Sequence, residues 1–136
     1  MIDHHVRPEG LPPTNGYSHV VAFGGLIAVS GQVPLDAAGG LVGPEDPEAQ
    51  FRQVFENLRT ALAVAGAGLE DVVKLTIFLT DLGDLDVFRR VRDEYVDIQS
   101  PPASSLVQVA GLVNPGFRVE IEALAVDRRL SSAERR

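Results

Sequence analysis

Arg118-Val119-Glu120-Ile121-Glu122-Ala123-Leu124-Ala125-Val126 reads as a β-strand with two unlike faces. Side chains alternate along a strand, so Val119, Ile121, Ala123 and Ala125 line one side while Arg118, Glu120 and Glu122 line the other. The apolar side belongs against a core. The polar side presents carboxylates on a rigid support, which suits holding and activating a water.

Working outward from this strand gives the rest of the fold. Upstream, Pro101-Pro102-Ala103-Ser104-Ser105 stops a helix and leads into a strand at about 103–110, because proline cannot continue a helical ladder. That helix opens at Asp84 and carries Leu85, Phe88, Val91 and Tyr95 on its inner face. Before it, residues 72–80 predict a strand with Val73, Leu75, Ile77 and Leu79 on one side. Asp46-Pro47-Glu48 is a helix start: an N-cap acid, proline at the first helical position, and a further acid near the positive end of the dipole. Phe51, Phe55, Leu58, Leu62 and Ala65 continue it as one apolar stripe, and Gly66 and Gly68 end it. Residues 17–23 and 26–30 predict a hairpin turned by Gly24-Gly25, after which Gly31-Gln32-Val33-Pro34 breaks the ladder and residues 36–43 form a Gly-rich loop. Residues 1–16 are expected to be an irregular lead-in, and residues 127–136 a charged tail that frays.

The order is β-β-α-β-α-β-β: a single α+β domain over residues 1–136, with a mixed sheet and two helices on one face. Val20-Val21-Ala22-Phe23 and Leu26-Ile27-Ala28-Val29 are nonetheless apolar on both sides. A monomer rarely exposes so large an apolar surface, so self-association is expected.

Composition narrows the function classes. The chain has 136 residues and no cysteine, which excludes disulfides, thiolate nucleophiles and thiolate metal sites. No apolar run approaches the ~20 residues needed to cross a bilayer, and the start Met1-Ile2-Asp3-His4-His5 does not read as a signal peptide, so no membrane association and a cytoplasmic location are the expectation. A net charge of −7 opposes nucleic-acid binding. Arg89, Arg90 and Arg92 stand among Asp84, Asp86, Asp93 and Glu94, which reads as a solvated helix face. The adjacent His4 and His5 at a terminus carry no metal expectation.

Further segments carry a resemblance: Gly16-Tyr17-Ser18, Val29-Ser30-Gly31-Gln32-Val33-Pro34, Asn57-Leu58, Ala65-Gly66-Ala67, Asp71-Val72-Val73-Lys74, Thr80-Asp81-Leu82, Pro102-Ala103 and Val119-Glu120-Ile121-Glu122-Ala123. In this order they resemble the Rid family (reactive intermediate deaminase, YjgF-like, also described as endoribonuclease L-PSP) over about residues 15–126. The resemblance implies a chorismate-mutase-like subunit in a homotrimer, with a small-molecule ligand in each interface cleft and no metal or organic cofactor. It also implies hydrolysis of imines or enamines of 2-keto acids to the keto acid and ammonia. By that resemblance Glu120 is the catalytic, water-handling glutamate. Tyr17 and Ser30 belong to the cleft wall, and Gly31 lets backbone approach the ligand.

The clamp for the substrate carboxylate does not carry over. The family's arginine follows Pro-Ala; here Ser104 stands there, followed by Ser105, with Leu106 where that pattern often has cysteine, and Arg89 where it has a cleft asparagine. These four are kept as candidate ligand contacts. A serine hydroxyl has neither the charge nor the bidentate fork of a guanidinium, so the usual 2-imino acid deamination is expected to be weak or absent. Arg118 or Arg89 could supply a relocated cation; otherwise Arg118 pairs with Glu120 or faces solvent. Glu122 reads as an interface or structural acid, and Gln108 as a surface residue with a possible place in the same cleft.

Two functions stay open. One is a cofactor-free hydrolase of the imine or enamine deaminase type. The other is a non-catalytic trimeric small-metabolite-binding or regulatory protein. A ribonuclease role fits poorly with the acidic surface and with the lack of an aromatic-basic strip.

Overall fold

The computed structural model describes residues 1–129. Its elements are β1 (Ile2–His5), β2 (Val20–Phe23), β3 (Leu26–Gln32), α1 (Pro47–Val64), β4 (Val72–Leu79), α2 (Leu85–Tyr95), β5 (Ala103–Gln108) and β6 (Val119–Val126), with single 3-10 turns before β4 and α2. The strands form one sheet in the order β1-β2-β3-β6-β4-β5. Every neighbouring pair is antiparallel except β4 and β5, so the sheet is mixed and the α+β class holds.

Both helices cover the same face. The stripe of α1 buries Phe51, Val54, Phe55, Leu58, Ala61 and Leu62 against Ile27, Val29, Leu75, Ile77, Val119 and Ile121. From α2 come Phe88 and Val91; Phe88 meets Phe51 edge-on and stacks on Phe55. The start of α1 forms as its sequence dictates: Asp46 accepts a hydrogen bond from the Ala49 N–H, which satisfies one orphan donor of the first turn, and Pro47 follows. The charged side of α2 is solvated but also tied to α1, since Arg90 pairs with Glu48 and Glu94 with Arg52.

Among the described residues, the opposite face has no helix on it. By register, Val21, Phe23, Leu26, Ala28, Leu124 and Val107 fall on it, and Phe23, Leu26 and Val107 are exposed.

Three expectations about elements need correction. The lead-in is not wholly irregular, because Ile2–His5 pairs with β2 as an edge strand. Its residues are mostly exposed, so it lacks the apolar alternation that would mark it in sequence. Nor does Gly31-Gln32 end the ladder. β3 takes three steps from Val29 to Gln32 while β6 takes two from Ala123 to Ile121, so the strand bulges at Ser30-Gly31 and resumes at Gln32. A second irregularity between Val72 and Lys74 turns Val73 outward and gives its core place to Val72. Of the tail expected from Asp127 on, residues 130–136 lie outside the described residues. Arg128 and Arg129 are held by Asp71 and Asp127.

Candidate functional site

The β3 bulge and the polar face of β6 build one wall of a cleft of about 980 Å³. Glu120, Glu122, Ser30 and Gly31 lie on that wall. Tyr17, Pro13 and Asn15 come from the segment before β2, Val33 and Leu35 from the chain after β3, and residues 113–117 from the loop before β6.

Two buried amides on α1 fix the loops. Asn57 donates to Val33 O and Leu35 O at 3.1 and 3.0 Å. Gln50 donates to Gly43 O and Gly116 O and accepts from the Arg118 N–H. Polar residues on an otherwise apolar stripe were the signal for this role, since such groups are kept inside only when they bond.

Glu120 is the centre of the wall. Its carboxylate makes no hydrogen bond or ion pair among the described residues. Burial, and then the neighbouring Glu122 carboxylate, push its pKa up from the ordinary value. Gly31 explains its placement: a Cβ built there would lie 2.8 Å from Glu120 Cδ and 2.9 Å from Oε2. The glycine therefore makes room for the carboxylate itself. Ser30 Oγ donates to Ser18 O, so its hydroxyl can meet a further group only as an acceptor. Tyr17 is exposed, with its ring edge-on to His19. Glu122, expected to be an interface or structural acid, lines the same cleft.

The remaining predicted residues are elsewhere. β5 is separated from β6 by β4, which puts it about 10 Å away at the usual strand spacing. Ser104 and Leu106 sit opposite Leu75 and Ile77, hence on the helix side of the sheet, whereas Glu120 is on the open side. Leu106 packs against the core, and Ser104 borders a small recess with Arg92, Asp93 and Pro102. Ser105 is on the open side and accepts from Lys74 Nζ at 2.7 Å. Gln108 accepts from the Leu82 N–H at 2.8 Å, which places its side chain away from the cleft. Arg89 is exposed on α2, with no ion pair among the described residues. Among those residues, no group of three or more His, Asp or Glu is arranged to hold a metal ion.

Arg118 neither serves as a relocated cation nor pairs with Glu120. Its guanidinium grips Asp84 at 2.8 and 3.0 Å, with Asp81 at 3.8 Å. Asp84 opens α2 as expected, yet its side chain makes no cap bond because Arg118 takes it. The cleft wall thus carries two carboxylates and an open acceptor, without a cation among the described residues.

Residues 8–127 match the family described as Endoribonuclease L-PSP. The 2-iminobutanoate/2-iminopropanoate deaminase of Salmonella typhimurium is 36% identical over 126 residues, covering 90% of this chain and 97% of the relative. Protein DfrA of Myxococcus xanthus is 42% identical over 123 residues, covering 88% of each chain. Among solved structures, RidA from an Antarctic Psychrobacter superposes with a TM-score of 0.84 at 35% identity, covering 91% of this chain and 99% of that one. No helix among the described residues is long and apolar enough to cross a membrane.

Proposed function

The chain belongs to the Rid family, also described as endoribonuclease L-PSP, and from this premise we propose that it is a cofactor-free hydrolase of imines or enamines, with Glu120 handling the water. The observation that carries the reading is the Glu120 carboxylate: half-buried, unpaired by any cation among the described residues, and lifted in pKa on the wall of the cleft. A base lifted toward the working pH keeps a useful share of the ionised form while it can still return the proton.

The chemistry then takes two steps. Glu120 accepts a proton from water as the water oxygen bonds to the carbon of the protonated imine, giving a neutral carbinolamine. The same carboxyl returns that proton to the nitrogen; the C–N bond then breaks as the hydroxyl proton passes to the Glu120 carboxylate, and the carbonyl product and ammonia leave, ammonia taking that proton as ammonium.

One chain cannot gather all the residues of the resemblance, because Ser104 and Leu106 lie on the other side of the sheet from Glu120. In our reading a second copy brings its β5 and α2 edge over the cleft, within a homotrimer whose contacts cover the apolar open face. The exposed Phe23, Leu26 and Val107 support this. Ser104 offers no charge to a substrate carboxylate. Loss of a buried charge partner costs roughly 2–5 kcal/mol, about thirtyfold to several thousandfold in rate, so 2-imino acids should be poor substrates. RNA is a weak candidate ligand for a chain of net charge −7.

The test is a coupled assay on imines released from serine or threonine by a dehydratase, run beside an imine without a carboxylate. Hydrolysis of the latter, slight acceleration of the former, and loss of both in Glu120→Ala are expected. Strong acceleration with the 2-imino acids would mean a cation is supplied after all, and its loss in Arg89→Gln would assign it. If no imine is hydrolysed and a small metabolite binds saturably, the non-catalytic reading replaces this one.

A further inference from the structure

The arch of residues 6–16 contributes Pro13 and Asn15 to the cleft, and a buried histidine holds it down. His19 enters β2 with 2% of its surface exposed. Its backbone N–H donates to Val6 O at 3.1 Å, and its carbonyl accepts from the Ser30 N–H at 2.9 Å. Its ring meets Pro12, Gln32 and Tyr17. Nε2 lies 2.7 Å from Pro12 O, Nδ1 lies 3.0 Å from Gln32 Nε2, and the Tyr17 ring stands edge-on at 5.8 Å between centroids. One side chain thus touches the arch, the tyrosine of the cleft and the strand that carries Ser30 and Gly31.

The proton positions follow from the partners. Pro12 O can only accept, so the imidazole carries its hydrogen on Nε2. Gln32 Nε2 also lies 3.1 Å from Ser30 O, another pure acceptor, which fixes the amide with its NH2 group toward both Ser30 and His19. Nδ1 must then accept, and His19 is the neutral imidazole protonated at Nε2. Gln32 is 1% exposed, and its Oε1 is buried without a partner among the described residues. Turning the amide over would give Oε1 a donor only if the imidazole took a second proton. It would also set two acceptors face to face at Ser30.

We infer that His19, backed by Gln32, is a positioning residue of the cleft: it latches the arch and Tyr17 to β3 and so sets the separation between the Tyr17 wall and the Ser30–Gly31–Glu120 wall. Neither His19 nor Gln32 lines the cleft. The role in ligand binding rests on reading the cleft as the ligand site, whereas the latch itself does not.

His19→Phe keeps a ring against Tyr17 and removes both side-chain hydrogen bonds, while His19→Gln keeps a donor. Three measurements on the full chain decide the matter. Amide hydrogen exchange in His19→Phe should quicken across residues 6–18 and stay unchanged in β6. KM for the hydrolysed imine should rise about tenfold, the scale of one lost buried hydrogen bond, with kcat within about twofold. His19→Gln should fall between. The imidazole nitrogen signals of the unaltered protein should show the neutral Nε2–H form with Nδ1 accepting.

Exchange in His19→Phe equal to that of the unaltered chain, or a proton found on Nδ1 at neutral pH, overturns the latch. Quickened exchange with unchanged KM, or with kcat lost along with KM, overturns the positioning role. If the unaltered protein hydrolyses no imine, the functional reading fails instead, and exchange and nitrogen signals still decide the latch. A variant too unstable to assay leaves the decision to the nitrogen signals and to the exchange of His19→Gln.

Discussion

Arg118 and Glu120 stand two residues apart on one face of the chain, yet their surroundings are opposite. Arg118 makes two hydrogen bonds to Asp84, which join the start of β6 to the start of α2. Glu120 is half-buried beside a second acid, with no cation among the described residues. A side chain kept in so unfavourable a setting is better explained by chemistry than by stability, whereas the arginine is explained by its contacts.

The comparison breaks most sharply by substitution at each site. Glu120→Gln should lower imine turnover by about 10²–10⁴-fold, the usual share of a general base, and leave the fold intact; steady-state rates and a thermal melt check both. Gly31→Ala comes next. Its Cβ would overlap the Glu120 carboxylate, so the carboxylate must move and turnover should fall, together with about 1–3 kcal/mol of stability on denaturant titration.

Arg118→Gln should show the reverse pattern. It strands the mostly buried Asp84, at a cost of about 1–2 kcal/mol given that the arginine is partly solvated, while turnover per folded chain stays near that of the unaltered protein.

The smallest effect sharpens the comparison by pH. Glu122 is the second cause of the lifted Glu120 pKa, after burial. Glu122→Gln should therefore move the acid limb of the pH–rate profile to lower pH without returning it to the ordinary carboxylate range. Stability follows the same linkage. The folded chain holds the Glu120 proton to higher pH than the unfolded chain does, so this group favours folding most in acid. That benefit declines as pH rises from the ordinary carboxylate range through the lifted value. Glu120→Gln removes the decline and should melt higher than the unaltered chain above that window.

Much of this was legible in the sequence, for local reasons. The Gly24-Gly25 hairpin, the Asp46-Pro47 helix start and the alternation of β6 each follow from short-range rules, and each is present. Strand β1 escaped notice because an exposed edge strand needs no apolar face. The bulges at Ser30-Gly31 and Val73 escaped because register is set by pairing with β6, not by the strand's own residues. At the site, the alternation on β6 put Glu120 and Glu122 on one face, but Asp84 as the partner of Arg118 lies 34 positions away and leaves no local trace. The latch of His19, Pro12 and Gln32 spans shorter separations, 7 and 13 positions, yet follows no periodic pattern in the sequence.

The most direct test is carbonyl release from a carboxylate-free imine, followed with the unaltered protein and with Glu120→Gln at equal folded concentration. The account predicts clear acceleration by the first and a rate near the uncatalysed background for the second. Equal acceleration by both proteins would contradict it.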